Sequence, residues 1–137
     1  MEKPNDSYVT GTVRGWLRLE ALGLLLLALF FYAHGGYSWG RFLALLLVPD
    51  LSMLGYLVNA RVGARAYNLG HSTLGPIALG IAALTGILPA ALPLALIWAA
   101  HVGMDRALGY GLKYPSAFGH THLGRVGREP APVAQVA

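Results

Sequence analysis

Apolar runs separated by short polar or Gly/Pro-rich stretches set the pattern of this chain. The first covers 15–33, with the core Leu22-Gly-Leu-Leu-Leu-Leu-Ala-Leu-Phe-Phe31. Roughly 20 residues at 1.5 Å each match the ~30 Å of hydrocarbon in a bilayer. Trp16 and Tyr32 sit near its ends, where interfacial aromatics belong. A turn rich in Gly and aromatics, His34 to Gly40, leads to a second run, 41–59. Pro49 lies inside that run and predicts a kink or a local opening, with Asp50 placed where backbone groups are freed. The stretch 60–69 carries Arg61 and Arg65 and reads as a loop with room for a helical turn. From Leu69 to Ala100 there is no Asp, Glu, Lys or Arg. A single helix of that length would be about 48 Å long, too long for one crossing. Pro89-Ala-Ala-Leu-Pro93 supplies the break, giving runs at 71–88 and 94–112. The prediction is all-α: a four-helix transmembrane bundle over 15–112, a polar tail at 1–14 and a second at 113–137 whose last eight or so residues are disordered.

Charge orients this arrangement. Lys3, Arg14 and Arg18 flank the first run, Arg61 and Arg65 the second loop, and Lys113, Arg125 and Arg128 the last. Between the first two runs stands only Arg41, and between the last two no Lys or Arg. The basic stretches fall on one side of a four-span chain, so both termini are expected in the cytoplasm. The first run carries no small-residue cleavage motif, so no removed signal peptide is expected. Composition agrees with a membrane protein: 55% apolar, 12% charged, mean hydropathy +0.54, where a soluble domain is about a quarter charged. The arginines are scattered and bracket apolar runs, which argues against nucleic acid as a partner. Without cysteine, disulfides and thiolate metal sites are excluded.

Polar residues inside the runs carry the candidate chemistry. At 1.5 Å per residue, Glu20 lies about 8 Å from the cytoplasmic end of its run, Asp50 about 13 Å, Asp105 about 10 Å and His101 about 16 Å. His71 opens its run at that surface. All four runs thus place polar groups in the cytoplasmic half, and a cavity open to that side is expected. His101 and Asp105 are four apart and share a helix face. With Asp50 and His71 they offer two imidazoles and two carboxylates, a set that suits zinc, manganese or iron. The same groups serve equally as a structural network, with Asp50 or Asp105 paired to Arg106 or Arg18. Asp50, Asp105 and Glu20 are the candidate catalytic acids and bases, although Glu20 can also snorkel beside Arg18. His120 and His122 in the tail are weaker candidates, and His34 reads as interfacial. Ala95, Ala99, Gly103, Ala107 and Gly111 recur every four residues. This small-residue stripe permits close helix approach, within the bundle or between two copies.

Val48-Pro-Asp-Leu-Ser-Met-Leu-Gly-Tyr56, Tyr67-Asn68, His71, the stretch His101 to Tyr114, and Thr121-His-Leu-Gly124 together resemble a bacterial family of small integral membrane proteins. It is the one filed as domain of unknown function 4260, and the likeness covers roughly 14–125. It implies no activity. A shorter likeness is to the membrane-bound metal-dependent hydrolases of the inner membrane. Pro49-Asp50, His71-Ser72 and His101/Asp105 follow the order of their Pro-Asp-x-Asp, His-Arg-x-x-Thr-His-Ser and His-x-x-x-Asp motifs. Ser52 stands in place of the second Asp and Ala66 in place of the first His.

These readings point to a multi-pass protein of a bacterial cytoplasmic membrane with an Asp/His site facing the cytoplasm. The favoured function is a metal-dependent, hydrolase-like membrane enzyme acting on a lipid-like or hydrophobic substrate. The rivals are a small proton-coupled transporter using Glu20 and Asp50, and a non-catalytic membrane partner. A carrier needs polar groups in both halves, and the outer half has few.

Overall fold

The computed structural model describes residues 8–116 and 118–126. The first seven residues and the chain end expected to be disordered lie outside the described residues. Helix α1 is Gly11–His34, α2 is Trp39–Leu45, α3 is Ala60–His71, α4 is Leu74–Leu84 and α5 is Leu92–Leu108. A 3-10 helix, Val48–Leu57, continues α2, and a short 3-10 turn, Pro89–Ala91, leads into α5. Strands β1, His120–Thr121, and β2, Gly124–Arg125, form a small antiparallel hairpin.

Helix α5 is the centre. It packs along α1 on one side and α4 on another, while the 3-10 helix packs on α3. Gly103 makes the first contact possible. A Cβ there would stand 2.8 Å from the Leu25 backbone N and 2.9 Å from the Ala21 carbonyl O. At this position of the small-residue stripe, the close approach is thus to α1 of the same chain. At the other end Tyr32, Phe42, Ile97, Ala28 and Ala100 form the core. The buried Tyr32 hydroxyl donates to the Ser38 carbonyl at 2.6 Å, fixing the α1–α2 turn.

Four expected elements take a different form, the third run among them: its helix covers Leu74–Leu84 rather than 71–88. The stretch 60–69 is part of a helix. Asn59 caps it by accepting from the Val62 N–H at 2.8 Å. Gly63, Ala64, Tyr67 and His71 recur at helical spacing on its buried face. The second run is not one kinked α-helix. The α-helix ends at Leu45, and Val48 and Pro49 open ten residues of 3-10 helix, far beyond the usual three or four. The Ser52 hydroxyl takes up the Pro49 carbonyl at 2.6 Å. The fourth run stops at Leu108 rather than 112, because Gly109 adopts a left-handed φ of 101°. The Gly109 and Tyr110 N–H groups then close on the Arg106 and Asp105 carbonyls.

Two helical stretches, Gly11–His34 and Trp39–Leu57, are long and apolar enough to cross a membrane. Helix α4, at eleven residues, is only about 16 Å long. The exterior is nonetheless apolar over α1, α2, the 3-10 helix and α4: Leu26, Phe30, Leu43, Leu57, Ile81 and Leu84, with Ile87 in the turn that follows, are all more than half exposed, whereas α3 exposes Arg61 and Arg65. The polar tail is folded back. Lys113 pairs with Thr121, the Val9 N–H donates to the His122 carbonyl at 2.8 Å, and Leu123 is buried.

Backbone atoms cannot retreat as a side chain can, so Gly103→Ala forces α1 and α5 apart. Its expected cost is about 1–3 kcal/mol, the range for overpacking. Gly23→Ala meets nothing within 4 Å and should be neutral or stabilising. Melting temperatures of the two variants in detergent check the difference.

Candidate metal centre

Three elements deliver four side chains to one point. Asp50 comes from the first turn of the 3-10 helix, His71 is the last residue of α3, and His101 and Asp105 stand one turn apart on α5. His71 Nε2 lies 3.1 Å from Asp50 Oδ1 and 3.4 Å from Asp105 Oδ2. His101 Nε2 lies 3.4 Å and 3.6 Å from the same two oxygens. The two Nε2 atoms are 3.1 Å apart. All four donor atoms fall within 4.8 Å of one another. The histidine side chains are 4% and 0% exposed, Asp105 15% and Asp50 31%. The cluster is therefore closed behind the imidazoles and open on the Asp50 side.

The surroundings aim these atoms. His71 Nδ1 donates to the Tyr67 carbonyl one turn back, at 2.9 Å. That bond places the ring proton on Nδ1 and turns the Nε2 lone pair into the cluster. The Tyr67 ring stacks on His71 with centroids 3.8 Å apart. The Trp98 indole N–H donates to the Gly70 carbonyl at 2.6 Å, tying α5 to the end of α3. Gly70 also lets the 3-10 helix approach: a Cβ there would stand 2.9 Å from Ser52 Oγ and 3.2 Å from the Pro49 carbonyl. Arg106 reaches the His71 carbonyl at 3.4 Å.

Counting protons shows what such a set can hold. Two carboxylates accept only, and a His71 Nε2 lone pair also accepts. His101 can supply one N–H to one of them. Protonating both Nε2 atoms would set two N–H groups face to face at 3.1 Å. A cation at the centre satisfies all four atoms at once. Bonds of 2.0–2.2 Å in a tetrahedron require donor–donor edges of roughly 3.3–3.6 Å. The five measured edges run from 3.1 to 3.6 Å. The residues present thus fit a divalent metal. His101 Nδ1 is buried without a hydrogen-bond partner, so His71 is the better oriented of the two imidazoles.

Beside the cluster sits Lys113, 8% exposed. Its Nζ lies 3.2 Å from the ring centroid of Phe118, 4.5 Å from Tyr67 and 5.6 Å from Tyr56. Asn68 holds it there by exchanging two hydrogen bonds with the Lys113 backbone, at 2.6 and 2.8 Å. Burial pushes its ammonium down to about 8, against the pull of Asp105 and Asp50. Burial, with the same two carboxylates, pushes the Tyr67 phenol above its ordinary range. Trp98 and Lys113 frame the site without any spacing signal to mark them. Tyr67 and Asn68 enter the sequence reading only through the family resemblance, although Tyr67 and His71 are four apart.

The other sequence candidates stand apart. Glu20 lines a separate cavity of about 210 Å³ with Arg106, Thr73 and His122. Burial pushes the His122 imidazole down, and its Nδ1 accepts the Leu112 N–H at 2.9 Å. His120 Nδ1 bonds Ser116 Oγ at 2.7 Å, and His34 stacks on Phe30. Arg18 donates to the Ala107 carbonyl at 2.8 Å. The two carboxylates pair with histidines, not with the arginines that a structural network would use.

The same stretches carry the comparison with known families. The sequence model of the Domain of unknown function (DUF4260) family matches residues 14–126. The chain belongs to this family. No curated protein and no solved structure matches it. The matched region contains all four residues of the cluster, Lys113 and the hairpin.

Lys113 sets an expected pH dependence. Its folded pKa of about 8 lies below the ordinary 10.5, so the unfolded chain binds more protons between these values. Stability contributed by this group therefore rises with pH from about 8 to about 10. Lys113→Met should flatten that part of the profile. Melting temperatures of both proteins across this window check it.

Proposed function

We propose that this chain is a multi-pass membrane protein that holds one divalent transition-metal ion at Asp50, His71, His101 and Asp105. We propose further that it works as a metal-dependent, hydrolase-like enzyme on a hydrophobic, lipid-like substrate. The observation that carries the metal is that five of the six donor–donor edges lie between 3.1 and 3.6 Å, close to those of a tetrahedron, with all four atoms within 4.8 Å. Two imidazoles and two carboxylates suit zinc, manganese or iron. Bound there, the ion would polarise a carbonyl or phosphoryl oxygen or activate a water. Asp50, the most exposed of the four, marks the side from which substrate arrives. His71 and His101 exclude water from behind. The Lys113 ammonium, held on its aromatic faces, adds positive potential for a developing negative charge.

The membrane reading rests on the apolar exterior of α1, α2, the 3-10 helix and α4 together with the two long apolar stretches. The Lys/Arg distribution supports cytoplasmic termini and a site facing the cytoplasm. A proton-coupled carrier is the weaker reading, because Glu20 and Asp50 line different sites and form no relay.

Elemental analysis of the detergent-purified protein should find about one zinc, manganese or iron per chain. Asp105→Asn keeps the side-chain shape but removes a ligand charge. It should lower metal affinity by more than the ~10–100-fold typical of outer-sphere changes, with expression unchanged. If Asp105 were only a structural partner of His101, Asp105→Asn would fold poorly and adding His101→Ala would rescue it; that outcome ends the metal reading. Reporter fusions at residue 36 and at the C-terminus should report opposite sides of the membrane, and the same side at both would refute the orientation.

A further inference from the structure

Beside the cluster lies a cavity of about 280 Å³ lined by Leu45, Val48, Pro49, Leu79, Leu94, Ile97 and Trp98. Its side chains are apolar apart from the Trp98 indole N–H, and that group is bonded to the Gly70 carbonyl. The cavity is walled by two of the regions that supply the cluster, the chain entering Asp50 and α5, and by α4, which follows His71. Pro49 precedes Asp50, Gly70 precedes His71, and Ile97 and Trp98 lie one turn before His101.

The direction of the cavity is the informative feature. On the chain entering Asp50, the lining residues come before the carboxylate. On α5 they come three to seven residues before His101. On α4, which runs the opposite way, Leu79 comes after His71. In each region the lining therefore falls on the same side of the cluster, away from the polar tail. An occupant would have a polar end at the Asp/His site and an apolar body running away from it. The volume is just below the usual range of ligand pockets, roughly 300–1,000 Å³, enough for part of one hydrocarbon chain and too small for two.

We infer that this cleft holds the hydrocarbon chain of a single-chain amphiphile whose oxyanion head reaches the Asp/His cluster. This rests on the metal reading and names the class of substrate for it. Lipid tails are as apolar as leucine, so the cleft gains little by solvation from a chain already in the bilayer. Its effect is on position: it sets the head at the cluster and holds the chain in register.

The test uses the full chain in phosphatidylcholine nanodiscs, loaded with zinc, and a long-chain fatty acid carrying a mid-chain diazirine. After irradiation, label is mapped by peptide mass spectrometry, and zinc content is measured in the same sample. Label should concentrate on Leu79, Leu94 and Ile97 over the lipid-facing Leu26 and Leu43, and fall to their level when zinc is removed. Leu79→Trp and Leu45→Trp, which fill the cleft, should remove the label at Ile97 while leaving zinc content unchanged. Label spread evenly over lipid-facing positions in a zinc-loaded sample overturns this inference and leaves the metal reading standing. Label in the cleft that ignores zinc removal overturns the contact between head and cluster. A protein that binds no zinc, manganese or iron overturns the metal reading and this inference with it.

Discussion

Four electron-rich atoms within 4.8 Å of one another, five of their six separations between 3.1 and 3.6 Å, repel one another behind a half-closed wall unless a proton or a cation stands between them. The rest of the structure depends on how that repulsion is resolved. Two carboxylates and two imidazole nitrogens bring too few protons to bridge every contact, and one nitrogen is committed by its partner's bond to Tyr67. Removing charge from water is costly, and breaking one member of a buried set costs about 3–5 kcal/mol. A proton or a cation at their centre would relieve groups that the chain brings together from three elements. Arg18 and Arg106, the cations that a purely structural network would use, bond backbone carbonyls instead.

Holding the atoms in place requires unusually close backbones. Gly103 brings α5 against α1, and Gly70 brings the end of α3 against the 3-10 helix. Gly63 serves the same contact further down, under the ring of Tyr56. These are packing constraints, so they fix Cα positions more tightly than side-chain contacts would. The polar bonds then set orientation: Trp98 to Gly70, Asn68 to Lys113, and His71 to Tyr67. The first two join a residue next to the cluster to a different element, and the third aims His71 from within α3. The cluster is thus positioned by its neighbours, as metal ligands are, and the folded tail belongs to that frame through Lys113.

The sequence carried the ligand set and much of the helix pattern, but not the geometry. His101 and Asp105 were legible because four-residue spacing on a helix is a local fact. Asp50 and His71 could be proposed as partners only from shared depth. Linear depths of about 0 to 16 Å at 1.5 Å per residue did not imply donor atoms within 4.8 Å. Two conformations account for the difference. The 3-10 helix rises about 2 Å per residue, which changes where Asp50 lies along its run. Helix α3, whose stretch reads as a loop by its arginines, delivers His71 from the end of a helix rather than from the start of one. Its signals were present in Asn59 and in the spacing of Gly63, Tyr67 and His71, but Arg61 and Arg65 dominated the local pattern. Lys113 was read only as a tail charge, because its aromatic surroundings come from 46 to 57 residues before it and from Phe118 after it, and no periodicity joins them.

The long 3-10 helix ties the site to the apolar cleft. An α-helix through 48–57 would follow a wider cylinder and would need Pro49 to be accommodated inside it. The tighter helix begins at Val48 with Pro49 at its second position, so the proline costs no hydrogen bond there and its ring is free to line the cleft. The next residue, Asp50, turns into the cluster. One peptide unit thus carries an apolar wall on one residue and a ligand on the next. Helix α5 does the same over one turn, with Ile97 and Trp98 in the cleft and His101 in the cluster. The concentration of polar groups in one half of the runs and the apolar lining beyond them are two sides of this arrangement. A polar site alone would need only the first. The adjacent apolar lining, on the same side in every contributing region, is what a metal-binding network without a substrate leaves unexplained.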